Sequence, residues 1–282
     1  VPYAITADAQ DAWFTDAGTQ AIGSVPTSGG SAQEHYLSAG INPLEIAPDH
    51  LGSLVYSQAS GSYYGSFNPI TSQSQQVALP SINSELSQRG IVADSSGRAY
   101  VAVGNSGTTT PTQGLYTASG VLTLGPGVID PTALLFDSSN GYLWVAAHNA
   151  AVIEAMKTDG EIVASVHLAY KPVSIAEVSG TVYAIDGDSG PILKVPTPYT
   201  QAFVVAHASC AASYIVAGAA GDLWFTEPTC NKIGHYVIAT GAMTEIVNPA
   251  APSGRPDHIA VDPSGRVWFT DSASHKIFEY YP

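Results

Sequence analysis

The chain has 282 residues, a formal net charge of −14 and only nine Lys and Arg, so it repels phosphate backbones and anionic membranes, and nucleic acid is excluded as an expected partner. Charged residues make up 11% and hydrophobic residues 45%. No apolar run approaches the length of a transmembrane segment, and nothing reads as a linker, so one domain is expected over 1–282.

In chain order, a strand phrase returns at a period of about 40 residues, the mark of a β-propeller. It opens as Pro2-Tyr3-Ala4-Ile5, then Trp13-Phe14-Thr15-Asp16 and Ala21-Ile22-Gly23. The second repeat begins at Asn42-Pro43, carries Leu54-Val55-Tyr56, and continues with Tyr63-Tyr64-Gly65. The third is degenerate, with Gly90-Ile91-Val92 and Ala99-Tyr100-Val101, then a Gly/Thr-rich stretch, 104–113, that reads as a flexible loop. The fourth begins at Asp130-Pro131 and carries Leu143-Trp144-Val145; the fifth begins at Lys171-Pro172 and carries Val182-Tyr183-Ala184. The sixth replaces the proline opening with Ser213-Tyr214-Ile215 before Leu223-Trp224-Phe225-Thr226-Glu227. The seventh runs Arg255-Pro256-Asp257-His258-Ile259, then Val267-Trp268-Phe269-Thr270-Asp271, then Lys276-Ile277-Phe278.

Seven repeats predict an all-β, seven-bladed propeller of mostly four-stranded blades, approximately 1–38, 39–81, 82–128, 129–169, 170–206, 207–250 and 251–282. After Tyr280-Tyr281-Pro282 no residues remain for a fourth strand, so the last blade is expected to have three and the ring to close by side-chain packing alone. Segments 57–76 and 104–114 are too degenerate to place. The Trp and Tyr markers read as core fillers.

The phrases at 256–271 and 223–234 resemble those of the virginiamycin B lyase-like (streptogramin lyase-like) seven-bladed propellers. In that family a Glu-Pro-His opening of one blade supplies a metal ligand and a catalytic base, and the Glu of a Trp-Phe-Thr-Glu phrase ligates magnesium. Here the matching opening is Arg255-Pro256-Asp257, and only Asp271 matches in chemistry. His258 lies one position later, where strand alternation turns it to the other side. Repeat six keeps Glu227, but Ala211-Ala212-Ser213 replaces the opening triplet. The resemblance therefore implies the fold without the catalytic Glu-Pro-His motif, and streptogramin ring opening is not expected.

Two constellations could carry chemistry. The acid ending the second strand is Asp16, Asp186, Glu227 or Asp271 in blades one, five, six and seven. These blades are consecutive, so the four carboxylates form a candidate Mg²⁺ or Ca²⁺ crescent; the other reading is that each acid caps its own turn. Lys171, Arg255, Asp257 and His258 open their blades beside the central channel and are the candidate ligand-binding group, with Asp257 and His258 as candidate catalytic residues. No two histidines have local zinc-ligand spacing. Cys210 and Cys230 fall in loops on one face of the same repeat, so a disulfide is expected, alongside the alternative of two free thiols.

An exported monomer is expected (secreted, periplasmic or cell-surface), because the cysteine count is even, lysine is scarce and the chain begins at Val1 without Met. Its expected role is to bind a small molecule, peptide or glycan at the loop-rich mouth. The tyrosine-rich Ser62–Gly65 stretch suits adaptable contacts. A metal-dependent lyase or hydrolase with a rearranged site, and a structural domain of a larger surface protein, are the alternatives.

Overall fold

Five of the seven repeats close the first hairpin on an aspartate: Asp8, Asp49, Asp94, Asp137 and Asp262. In repeat seven the Asp262 carboxylate accepts the N–H groups of Ser264 (2.8 Å) and Arg266 (3.1 Å) on Oδ1. Its Oδ2 accepts Arg266 Nε at 2.8 Å and the Trp268 indole N–H at 3.2 Å. Asp8 beneath Trp13 and Asp94 beneath Tyr100 repeat the arrangement. One acid thus shapes the turn and fixes the aromatic that fills the blade. Burial alone would raise the Asp94 and Asp262 carboxyls; their hydrogen bonds outweigh it and hold both below the usual aspartate value.

A computed structural model describes residues 1–59, 61–80, 87–104, 113–248 and 251–282. Most of the stretch read as a Gly/Thr-rich loop lies outside them. The described strands form seven antiparallel sheets, six of four strands and one of three. Within each sheet the strands follow sequence order, here called first to fourth from the channel outward. The first strands are Pro2–Ala7, Pro43–Pro48, Ser87–Ala93, Pro131–Asp137, Pro172–Val178, Ile215–Ala217 and Pro256–Val261. Each packs beside the next, and the last packs on the first. The molecule is a seven-bladed β-propeller. The segment 57–76, unplaceable from sequence, holds the strand Tyr63–Asn68 and the start of Gln73–Ala78.

Seven apolar clusters fill the seven gaps between blades. Trp144, Trp224 and Trp268 are buried in them, as core fillers should be. In blades one, two and six a third-strand glycine faces the second-strand aromatic: Gly23 with Phe14, Gly65 with Tyr56, Gly234 with Phe225. The ring lies on the glycine, and a Cβ there would come within 2.0, 1.8 and 2.0 Å of it.

Ring closure is stronger than side-chain packing alone. The threonine of the Trp-Phe-Thr phrase accepts an N–H from its own first strand and donates to a carbonyl of the next blade. Thr15 links Ala4 N–H (3.1 Å) to the Leu44 carbonyl (2.5 Å). Thr226 links Tyr214 N–H (3.2 Å) to the Asp257 carbonyl (2.8 Å). Thr270 links His258 N–H (3.2 Å) to the Tyr3 carbonyl (2.7 Å), joining the last blade to the first.

Candidate functional site at the channel mouth

The first strands do not run regularly into the channel. In blade seven Pro256 faces Asp271 and Ile259 faces Phe269, so Asp257 and His258 share one opposing residue, Thr270. Blades one and two break register at the same place, between Pro2 and Ile5 and between Pro43 and Ile46. Blades three, four and five do so around Arg89, Thr132 and Val173. An extra residue of this kind bends the strand and re-aims a side chain.

The re-aimed side chains meet. A cavity of about 230 Å³ at one end of the channel has every blade in its lining, through Tyr3, Glu45, Arg89, Thr132, Val173, Tyr214 and His258. A second cavity of about 230 Å³, lined mostly by aliphatic residues, continues the channel and shares Ile91, Leu134 and Tyr214 with the first.

His258 is the centre of the upper chamber. It is only 6% exposed, and its Nε2 lies 3.0 Å from Glu45 Oε1, bridging blade seven to blade two. The Tyr3 and Tyr214 rings flank it, each with its centroid 4.5 Å away. Its buried Nδ1 has no hydrogen-bond partner among the described residues. The carboxylate accepts the Nε2 proton, which leaves Nδ1 to exchange a proton or a hydrogen bond with a ligand. Burial raises both tyrosine hydroxyls well above the usual phenol value; Glu45 adds to both, Asp257 adds to Tyr3, and Arg89 opposes at Tyr3. Both phenols therefore remain protonated donors. Arg89 completes the wall, its guanidinium 3.8 Å from Asp130.

The residues named from sequence divide. His258 reaches the chamber, and the alternation argument that turned it away fails because the bulge removes the period of two. Asp257 does not line the chamber; its carboxylate pairs with Arg255 Nε at 3.3 Å, and that arginine side chain is 64% exposed. Lys171 is also outside, half exposed, with its ammonium 3.9 Å from Asp188. Tyr3, Glu45 and Tyr214 were missed. A signal existed for Glu45, which stands two residues after Pro43 as His258 stands two after Pro256.

The four crescent acids are not brought together on one ligand. Asp186 accepts the Lys171 N–H (2.9 Å) and the Ser189 N–H (2.7 Å). Asp271 accepts the Arg255 N–H (2.9 Å) and the Ser274 N–H (2.8 Å). Asp16 holds the Val1 ammonium (2.8 Å) and the Thr19 N–H (2.9 Å). Each ties the residue before the opening proline to the turn after the second strand. Burial would raise Asp16 and Asp186, but these bonds hold both below the usual aspartate value. Glu227 accepts the Cys210 N–H at 2.9 Å and the Ser209 hydroxyl at 3.2 Å. Burial and then the Glu245 charge hold its carboxyl above the usual value. Cys210 and Cys230 form the expected disulfide, with Cα atoms 6.3 Å apart.

No protein-family model and no curated protein matches the sequence. Solved structures do. A streptogramin B lyase structure superposes with a TM-score of 0.81 at 20% identity, covering 99% of this chain and 92% of that one. The chain has the streptogramin lyase fold. A catalytically inactive variant of virginiamycin B lyase from Staphylococcus aureus with quinupristin gives 0.80 at 20% identity, over 99% and 94% of the two chains. The extracellular domain of a hybrid two-component system from B. thetaiotaomicron gives 0.74 at 14% identity, over 100% of this chain and 39% of that one. At these identities the likeness carries the fold and not the activity.

The magnesium that the family implies does not fit these residues. Asp271 is bound by two backbone amides of its own blade. Arg255 and Asp257 stand where the resemblance would place Glu and His. Among the described residues no three His, Cys, Asp or Glu side chains converge as a metal site.

Proposed function

We propose that this chain is an exported binding propeller that takes a small molecule, or one group of a peptide or glycan, in the chamber at its channel mouth. The convergence of Tyr3, Glu45, Arg89, Tyr214 and His258 on one cavity of about 230 Å³ carries this reading. That volume suits one amino-acid side chain or one small ring rather than a whole drug-sized ligand. The wall offers a carboxylate, an imidazole with a free nitrogen, a guanidinium and two phenol donors, a mixture that recognises a polar group by direction as well as charge. The rearranged Arg255-Pro256-Asp257 opening and the engaged Asp271 support binding without streptogramin ring opening. The Cys210–Cys230 disulfide supports export, since such bonds persist in oxidising compartments. No helix is long and apolar enough to cross a membrane, among the described residues.

The test is a thermal-shift screen of the protein against free amino acids, dipeptides and monosaccharides, repeated on Glu45→Gln and His258→Gln. Ligands of the mouth stabilise the parent and lose that effect in both variants. Stabilisation that survives both substitutions removes the chamber from the binding site.

A further inference from the structure

The chamber at the mouth holds two opposite charges that do not neutralise each other. Glu45 stands on blade two and Arg89 on blade three, and both line the cavity of about 230 Å³. The ion partner of each lies elsewhere: Glu45 is 3.0 Å from His258 Nε2, and the Arg89 guanidinium is 3.8 Å from Asp130. Both charges are felt at the Tyr3 hydroxyl, where they act in opposite directions. The wall also keeps unused hydrogen-bonding capacity. Arg89 Nε and His258 Nδ1 are buried without a hydrogen-bond partner among the described residues. Asp130 stands too far from Arg89 for a hydrogen bond, and its Oδ2 already accepts the Asn149 side-chain amide at 2.8 Å. Glu45 accepts from His258 and from the Tyr214 hydroxyl. A carboxylate offers about four acceptor sites, so it retains room for a further donor.

A ligand that satisfies this wall presents a positive donor to Glu45 and His258 Nδ1 and, a short distance away, a negative acceptor to Arg89. A lone anion would face Glu45 across the chamber, and a molecule of net charge −14 repels it. A lone cation leaves the buried Arg89 Nε unpaired. A sugar hydroxyl fills the hydrogen bonds without the charge, and charge-assisted bonds are roughly twice as strong. The rest of the wall is apolar. Ile91, Leu134 and Val173 close the same cavity, and Ile91 and Leu134 continue into the second, mostly aliphatic cavity below it.

We infer that the mouth binds one free apolar α-amino acid of the leucine, isoleucine or valine kind. Its ammonium donates to Glu45 and to His258 Nδ1, its carboxylate accepts from Arg89, and its side chain lies on Ile91 and Leu134 toward the channel. A zwitterion has no net charge, so the acidic molecule does not repel it. A residue inside a peptide lacks both charges, and a terminal residue lacks one of them, so the wall selects the free amino acid. This assignment rests on the reading of the chamber as the binding site and narrows it to one ligand class.

The probe is leucine, titrated calorimetrically into the protein beside three analogues: isoamylamine, which lacks the carboxylate, isocaproate, which lacks the ammonium, and glycine, which lacks the side chain. Saturable binding of leucine is expected. Each analogue should bind at least ~10-fold more weakly, the scale of losing one charged hydrogen-bond partner or one buried aliphatic side chain. Arg89→Gln should weaken leucine by ~10-fold or more and leave isoamylamine unchanged. Glu45→Gln should weaken leucine and leave isocaproate no weaker. Absence of saturable binding by leucine, isoleucine and valine overturns the inference. So does an analogue that binds the unmodified protein as tightly as leucine does, and neither result depends on a variant folding. The two readings fail separately. If a monosaccharide or dipeptide binds and is lost in Glu45→Gln and His258→Gln while leucine does not bind, the chamber stands and the amino-acid assignment falls. If leucine binds equally to the parent and to Glu45→Gln, Arg89→Gln and His258→Gln, the chamber itself is not the site.

Discussion

Blades six and seven carry nearly the same second strand, Leu223–Glu227 and Val267–Asp271, yet they are secured differently. Blade six has four strands, a disulfide across its rim and a glycine beneath Phe225. Blade seven has three strands among the described residues, no disulfide, and Phe278 where blade six has Gly234, its ring stacked 5.5 Å from Phe269. Among the described residues, ten buried apolar residues form the core between blades five and six. Five form the core between seven and one. One phrase therefore serves two structural economies: blade six is buried by its own outer strand, while blade seven relies on bulky side chains, and each makes the threonine bond to the next blade. A repeated sequence fixes the inner half of a blade, and what lies outside it sets how firmly the blade is held.

Four measurements bear on that contrast. Gly234→Ala should have the largest effect, about 3 kcal/mol lost in denaturant unfolding, because the Phe225 ring has no room to retreat. The matching Phe278→Ala in blade seven should cost only ~1–2 kcal/mol, since that ring is half-buried; equal losses would erase the distinction. Removing the disulfide with Cys210→Ser plus Cys230→Ser should lower stability by roughly 3 kcal/mol in the chain-entropy description of a loop of this size, read as a fall in thermal midpoint against parent protein. Thr270→Val should cost ~2 kcal/mol by leaving the Tyr3 carbonyl and the His258 amide unsatisfied, and should speed exchange in Pro2–Ala7 as well as in blade seven. If exchange quickens in blade seven alone, the bond does not close the ring.

The smallest effect should come from Glu227→Gln, and its sign is specific. The folded carboxyl titrates above its ordinary value, so ionising it lowers stability as pH rises through the ordinary glutamate range and then through the raised one. Glutamine keeps an acceptor for the Cys210 amide and removes that titration. The variant should gain on the parent across this window and be level with it below. Asp186 has the opposite sign: its carboxyl is held low, so its contribution is present above the unfolded aspartate value and lost as pH falls through the folded one. Urea midpoints from acidic to neutral pH separate the two.

Much of the architecture was legible in the chain. The period and the Trp-Phe-Thr phrases were enough for seven blades. Cys210 and Cys230 were readable as a pair because both fall in loops of one repeat. The site was far less legible. Asp16, Asp186 and Asp271 look like a cation crescent in sequence because equivalent repeat positions share a height in the ring. That height says nothing of where each carboxylate points, and each points back at the backbone nitrogen that precedes its own blade's opening proline.

The sequence by itself determined the blade count, the aromatic residues that fill the gaps between blades and the turns that close most of the first hairpins, because all of these follow from local patterns repeated along the chain. Only the tertiary structure decided the mouth. His258 and Glu45 are separated by 213 positions, and they meet because the ring closes and because a bulge in each strand breaks the alternation from which side-chain direction would be read. A contact across a closed ring depends on every blade between its two ends, and no local pattern carries that information.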